Sequence, residues 1–217
     1  MKISSFKFAV IIVLLQIVLS LYLGLSLPDD AKVPTHWNIK GEIDGWSGKW
    51  TATFLFPGIN LAILLLAVFF PVLSPRFRKD PERFQKILPS IISILVFFFA
   101  LIHIYSLLLA KGSLPQTGNF ILIAIGLMFV LLGNLLPKIP SNFYMGVRLP
   151  WTLSSETVWR KTHRLSGWCF SLSGIILIIV GFLDRITALA QIFLIFAFLL
   201  MIFVPMLYAF LTYKKER

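Results

Sequence analysis

Apolar and polar residues fall in long blocks along this chain. Six apolar runs stand out, roughly Phe8–Leu27, Ala52–Leu73, Leu88–Ala110, Asn119–Leu136, Ser166–Leu183 and Leu189–Leu211. Each is close to the ~17–25 residues that cross a bilayer as a helix. A lone span in lipid must satisfy its backbone polar groups internally, so these runs predict helices. The polar blocks between them are unequal. Pro28–Thr51 and Ser74–Lys86 are substantial, and the stretch from Asn142 to Trp168 carries three Trp, a Tyr and a Phe among its charges. Linkers are poor in aromatics, so this last stretch is expected to be ordered.

Composition turns the pattern into a class. The 217 residues are 58% hydrophobic and 13% charged, with 21 Phe and a mean hydropathy of +0.89, against roughly a quarter charged in a soluble domain. The expected fold is an all-α membrane protein of six transmembrane helices. Lys2 and Lys7 precede the first run, and Gly24-Leu25-Ser26 would make a poor cleavage site. The apolar core exceeds the ~7–15 residues of a signal peptide, so a retained anchor is expected. The single Cys169 excludes an intramolecular disulfide and a CxxC metal site.

The net charge of +11 acquires meaning once the spans are drawn. Lys2, Lys7, the second loop (Arg76, Arg78, Lys79, Arg83, Lys86), the fourth (Lys138, Arg148, Arg160, Lys161, Arg164) and the tail (Lys214, Lys215, Arg217) hold fifteen of the twenty Lys and Arg. The other connections hold only Lys32, Lys40, Lys49, Lys111 and Arg185. The positive-inside rule then makes both termini cytoplasmic and the first loop extracellular. Membrane lipids are the default counter-charge, and no direct nucleic-acid contact is needed to explain the basicity.

Candidate chemistry is sparse. Gln16, Ser20 and Gly24 recur every four residues, a polar packing stripe on one helix face. His103 sits within the third run, where a neutral imidazole bonding a neighbouring helix is the plain reading, and Asn60 and Asn134 are expected to bond between helices. Gly167, Gly174 and Gly181 repeat every seven residues, a bare flank that lets another helix approach. The second loop reads as a basic connector with a short interfacial helix starting at Asp80-Pro81-Glu82. Ser154 before Glu156 starts an amphipathic cytoplasmic segment leading to helix five, with Trp159 and His163 four apart. Arg148 and Glu156 have the signs to pair.

The first loop runs Val33-Pro34-Thr35-His36-Trp37-Asn38-Ile39-Lys40-Gly41-Glu42-Ile43-Asp44-Gly45-Trp46, with turn signals at Lys40-Gly41 and Asp44-Gly45. It predicts one ordered extracellular loop, either a short hairpin or a compact loop over the helix ends. His36, Glu42 and Asp44 are a chemically legal ligand set, but no helical spacing fixes them. The plainer expectation is no metal, with Asn38 and Asp44 capping turns and His36 bonding loop backbone. No P-loop, nucleophile elbow, HExxH or dinucleotide fingerprint occurs.

The segment Gly146-Val-Arg148-Leu-Pro150-Trp151-Thr152-Leu-Ser-Ser-Glu156-Thr-Val-Trp159, followed by His163-Arg164 and Gly167, resembles the signature of the SdpI family of bacterial immunity membrane proteins. The outer loop resembles an N-terminal module of unknown function that often accompanies it. The resemblance divides the chain into 1–87, with two helices and the outer loop, and 88–217, a four-helix module. It implies a non-enzymatic, cofactor-free multipass protein of the bacterial cytoplasmic membrane that protects its producer from a secreted, membrane-active peptide toxin. In the best-understood members it also implies sensing the toxin and holding a transcriptional repressor at the membrane.

The binding candidates are therefore Gly146, Arg148, Pro150, Trp151, Thr152, Glu156, Trp159 and His163 inside. Outside they are Pro34, His36, Trp37, Asn38, Gly41, Asp44 and Gly45. Two rival readings are a membrane enzyme acting on lipid or peptide with a metal at His36 and Asp44, and a small transporter or scaffold using His103.

Overall fold

The computed structural model describes residues 3–73, 81–115, 119–183 and 186–216, without the side chains of Ile3 and residues 70–73. Lys2, the connector with Pro75, Arg76, Arg78, Lys79 and Asp80, and also Arg185 and Arg217, lie outside the described residues. A 3₁₀ turn at Ile3–Phe6 leads into α1 (Lys7–Ser26). A hairpin of β1 (Lys32–Trp37) and β2 (Ile43–Gly48) follows, then α2 (Lys49–Leu73), α3 (Pro81–Ala110) and α4 (Phe120–Leu135). After a loop come the short α5 (Pro150–Ser154), then α6 (Glu156–Gly181) and α7 (Ala188–Lys215). Six of these helices are long and apolar enough to cross a membrane.

Two helices begin earlier than hydropathy predicts. α3 starts at Pro81, so the expected short interfacial helix is its first turns and not a separate element. Pro suits that first position, where its missing N–H has no intrahelical partner to lose. α6 starts at Glu156, ten residues before the apolar run, and continues unbroken to Gly181. Its polar opening turns are buried by the loop that precedes them, as Val158, Trp159, Thr162 and His163 attest. The cap is Ser155, whose hydroxyl accepts from the Val158 N–H at 3.2 Å; Ser154 instead donates to the Trp151 carbonyl. Either serine had the right chemistry, and the spacing to the third helical amide decides between them.

The first three spans form one packed group. The predicted stripe on α1 is buried, and each member has an assignment. Gln16 is tied to α2 and α3, Ser20 donates to the Thr53 carbonyl at 2.7 Å, and Gly24 lies against the Thr53 side chain. Asn60 donates to Gln16 Oε1 (2.7 Å) and to the Val96 carbonyl (3.0 Å), so it does bond between helices. Asn134 does not. Its amide donates to the Val130 carbonyl of its own helix at 2.9 Å, because its side chain faces outward.

α4 and α6 run antiparallel at near backbone contact. A Cβ on Gly174 would meet the Gly126 carbonyl oxygen at 2.5 Å, and one on Gly167 would meet the Gly133 carbonyl oxygen at 2.7 Å. Gly181 faces Ile123 in the same way. The seven-residue repeat on α6 therefore meets a matching Gly126–Gly133 pair on α4, the small-residue packing that membrane helices use for close approach. α7 covers the other side of α6 through Leu194 and Ala197, and Ser173 donates to the Ala197 carbonyl at 2.8 Å.

The hairpin caps the end of the bundle where α1 stops and α2 starts. Its strands pair antiparallel from Lys32↔Gly48 to Trp37↔Ile43, with irregularities around His36. Val33 is fully buried against Leu23, Leu27, Ala52 and Leu107, and the Trp37 ring lies 6.4 Å from that of Tyr105 on α3. The loop between α4 and α6 sits at the opposite end, where Met145 packs against the cluster of Phe6, Leu88 and Ile92.

Candidate functional site

The loop from Ile139 to Leu149 has no helix or strand of its own, so its backbone polar groups need other partners. Asn142, fully buried, supplies four. Its carbonyl accepts from the Tyr144 and Met145 amides at 2.7 and 2.8 Å, and its amide donates to the Pro140 and Met145 carbonyls at 2.8 and 3.1 Å. Asn142 was not among the predicted site residues, although an Asn two residues past Pro140 is a turn signal. Thr152 closes the far end, where its hydroxyl accepts from the Leu149 amide (2.8 Å) and faces the Val147 carbonyl (2.8 Å).

Between these two stitches the loop is fastened to α6. Trp159 is fully buried and donates its indole N–H to the Ile139 carbonyl at 2.8 Å. One turn later His163 stacks on Trp159, with ring centroids 3.9 Å apart. The Val147 amide donates to His163 Nε2 at 3.1 Å. Nε2 is therefore the bare nitrogen, and Nδ1 carries the proton donated to the Trp159 carbonyl at 2.9 Å. Gly146 lies over the imidazole at φ +98°, and a Cβ there would collide with Nε2. Both requirements select glycine.

The predicted inner residues thus separate into two groups. Thr152, Trp159 and His163 form the buried socket, and Gly146, itself exposed, lies over it. Pro150 opens α5 at a first-turn position, and Trp151 meets Phe210 of α7 edge-on at 5.5 Å. Arg148 and Glu156 are exposed and do not pair. The Arg148 guanidinium donates to the Phe143 carbonyl at 2.8 Å instead, which ties the loop to itself. The sequence missed Glu216. Its carboxylate accepts from Ser155 at 2.9 Å and meets Lys161 at 3.5 Å, so the end of α7 is joined to the start of α6.

At the hairpin end, Asn38 holds the turn by accepting from the Lys40 and Glu42 amides at 2.8 and 3.1 Å, while Gly41 takes φ +78°. His36 bonds a side chain, not loop backbone: its Nδ1 is 2.5 Å from Asp44 Oδ1 across the strands. Gly45 faces the His36 Cβ, where a side chain would meet it at 2.7 Å, and Pro34 pairs with Trp46. His36 and Asp44 are both exposed, and no group of three or more His, Cys, Asp or Glu converges among the described residues. The hairpin base is held by Lys49, which is buried and donates to the Leu27 carbonyl (2.7 Å) and to Asp29 (3.0 Å).

His103 is engaged in helix packing. Its Nδ1 accepts from Gln16 Nε2 at 3.1 Å, and its ring stacks on Phe56 at 5.2 Å. The Asn60–Gln16–His103 chain joins α1, α2 and α3 through fully buried side chains.

The buried socket lies in a part of the chain that a family model matches. The family described as the SdpI/YfhL protein family matches residues 138–209, from just before Asn142 to the last turns of α7. Through that region the chain is similar to the SdpI family. A second match, to a domain of unknown function (DUF1648), covers residues 11–61, which take in most of α1, the hairpin and the first half of α2. The chain is also similar to the Immunity protein SdpI of Bacillus subtilis (strain 168), at 21% identity over 176 residues, 80% of each chain. No solved structure matches significantly. With six membrane-spanning helices and this relative, it is a multipass bacterial membrane protein.

Proposed function

We propose that this protein confers resistance to a secreted, membrane-active peptide toxin. The observation that carries the reading is its likeness to an immunity protein over four-fifths of both chains. The charge distribution supports a cytoplasmic socket and an extracellular hairpin. In this reading the hairpin, with Ile39 and Trp46 exposed, and the adjoining start of α2, with Trp50 exposed, meet the toxin. The socket end, with Arg148 and Glu156 on its surface, meets a repressor protein.

Expression in a strain sensitive to such a toxin tests the first part: raised survival is expected, and unchanged survival removes the assignment for that toxin. The second part predicts that a repressor co-purifies with membranes carrying the wild-type protein after toxin exposure. Equal recovery with Arg148→Ala/Glu156→Ala, or no recovery with either, would overturn the socket-end role.

A further inference from the structure

We propose that the groove between α4 and α6 at the socket end of the bundle binds the headgroup of an anionic phospholipid. The groove encloses about 310 Å³, and its walls include Asn134, Arg164, Trp168 and Ser171, with Gly133 and Gly167 at the helix contact. This is the lower part of the size range of small-ligand sites. No carboxylate lines it.

Arg164 makes no ion pair or hydrogen bond with any described residue, although Lys161, one turn away, is taken up by Glu216. Lys138, which follows the groove residue Pro137, and Arg160, one turn before Arg164, are exposed and add to the positive charge. The nearest acids on these elements are accounted for elsewhere: Glu216 is held by Ser155 and Lys161, and Glu156 lies two turns before Arg164.

Depth decides between a lipid and a soluble anion. Arg164 lies 17 residues before Gly181 on one unbroken helix, about 25 Å at ~1.5 Å per residue, which approaches the ~30 Å hydrocarbon thickness. Its side chain therefore reaches the level of phosphates by extending along the membrane normal. Trp168, one turn deeper, is 74% exposed on the outer wall of the bundle, where an indole suits the boundary between headgroup and chain. Ser171 lies nearly another turn deeper, at the level of the acyl chains. A guanidinium at the phosphate and an exposed indole beneath it, at the boundary with the chains, match a phospholipid lying upright in the groove. A free phosphate would use only the first.

Native mass spectrometry of the full chain, released from detergent containing either dioleoylphosphatidylglycerol or dioleoylphosphatidylcholine, tests the site. One phosphatidylglycerol is expected to stay bound, with phosphatidylcholine retained much less. Arg164→Gln should weaken retention by roughly five- to tenfold, the effect of about one cationic contact. Arg164→Lys should recover most of it. Trp168→Leu, which leaves the charge intact, should also weaken retention, and gives a second route if Arg164→Gln does not fold. Retention unchanged in both variants overturns the proposal, as does equal retention of the two lipids. Displacement of the lipid by millimolar inorganic phosphate would also overturn it, assigning a simple anion site.

Discussion

At the scale of single residues, the socket is a set of interlocking obligations. His163 can accept from Val147 only with a bare Nε2, and Gly146 can lie over it only without a side chain. Gly146→Ala is expected to destabilise by about 1–3 kcal/mol from backbone strain alone, with the collision adding to that. A lowered thermal transition in detergent checks it, and an unchanged one would mean the loop can lift off His163. Trp159→Phe keeps the ring stack but orphans the buried Ile139 carbonyl, so a loss of about 1–3 kcal/mol is expected by the same measurement. These pairings were only partly legible. The spacing of Trp159 and His163 put them on one face, whereas Asn142 and the Val147 amide act through a loop whose path no periodicity encodes. Cross-strand partners were equally hidden: His36 meets Asp44 because of a local irregularity in register, and no spacing rule predicts that.

At the scale of elements, the helices were legible because lipid demands apolar length. Their beginnings were not, since α3 and α6 open with polar turns that hydropathy assigns to loops. The glycine repeat on α6 was readable, and so in principle was its counterpart, Gly126 and Gly133, seven apart on α4. What the sequence did not say is that they face each other. Glycines in this protein should therefore differ sharply in tolerance. Gly174→Ala places a Cβ 2.5 Å from the Gly126 carbonyl oxygen and should loosen the α4–α6 pair, seen as a lower transition temperature and faster proteolysis. Gly58, on the exposed side of α2, has nothing within 4 Å of such a Cβ. Gly58→Ala should leave stability unchanged or raise it by up to about 1 kcal/mol. Equal effects at the two sites would refute the close packing.

At the scale of the whole molecule, the two ends of the chain meet the same region. Phe6 is buried beside the loop's Met145, and Glu216 reaches Ser155 and Lys161. An exposed ion pair of this kind is worth only about 0–1 kcal/mol. Glu216→Ala should thus leave the transition temperature nearly unchanged while hydrogen exchange in the last turn of α7 speeds up. Protection equal to the wild type would show that the tail is held by other contacts. Even an even number of spans and the charge bias were readable from sequence, but not this closure, which joins positions 61 residues apart.

α6 has no proline and no break between its cap and Gly181. Its 26 residues make a stiff rod of about 39 Å at ~1.5 Å per residue. One tip is wedged beside Asn119 and Ile123, and the other carries the imidazole on which the loop rests. A rod clasped along its middle by glycine contacts behaves as a lever. With the fulcrum near Gly174, a swing of about 4° displaces the Glu156 tip by about 2 Å, several times the ~0.5 Å of slack a hydrogen bond tolerates before it breaks. A small tilt at the far tip of this helix would thus be felt as a broken contact in the loop at its other end.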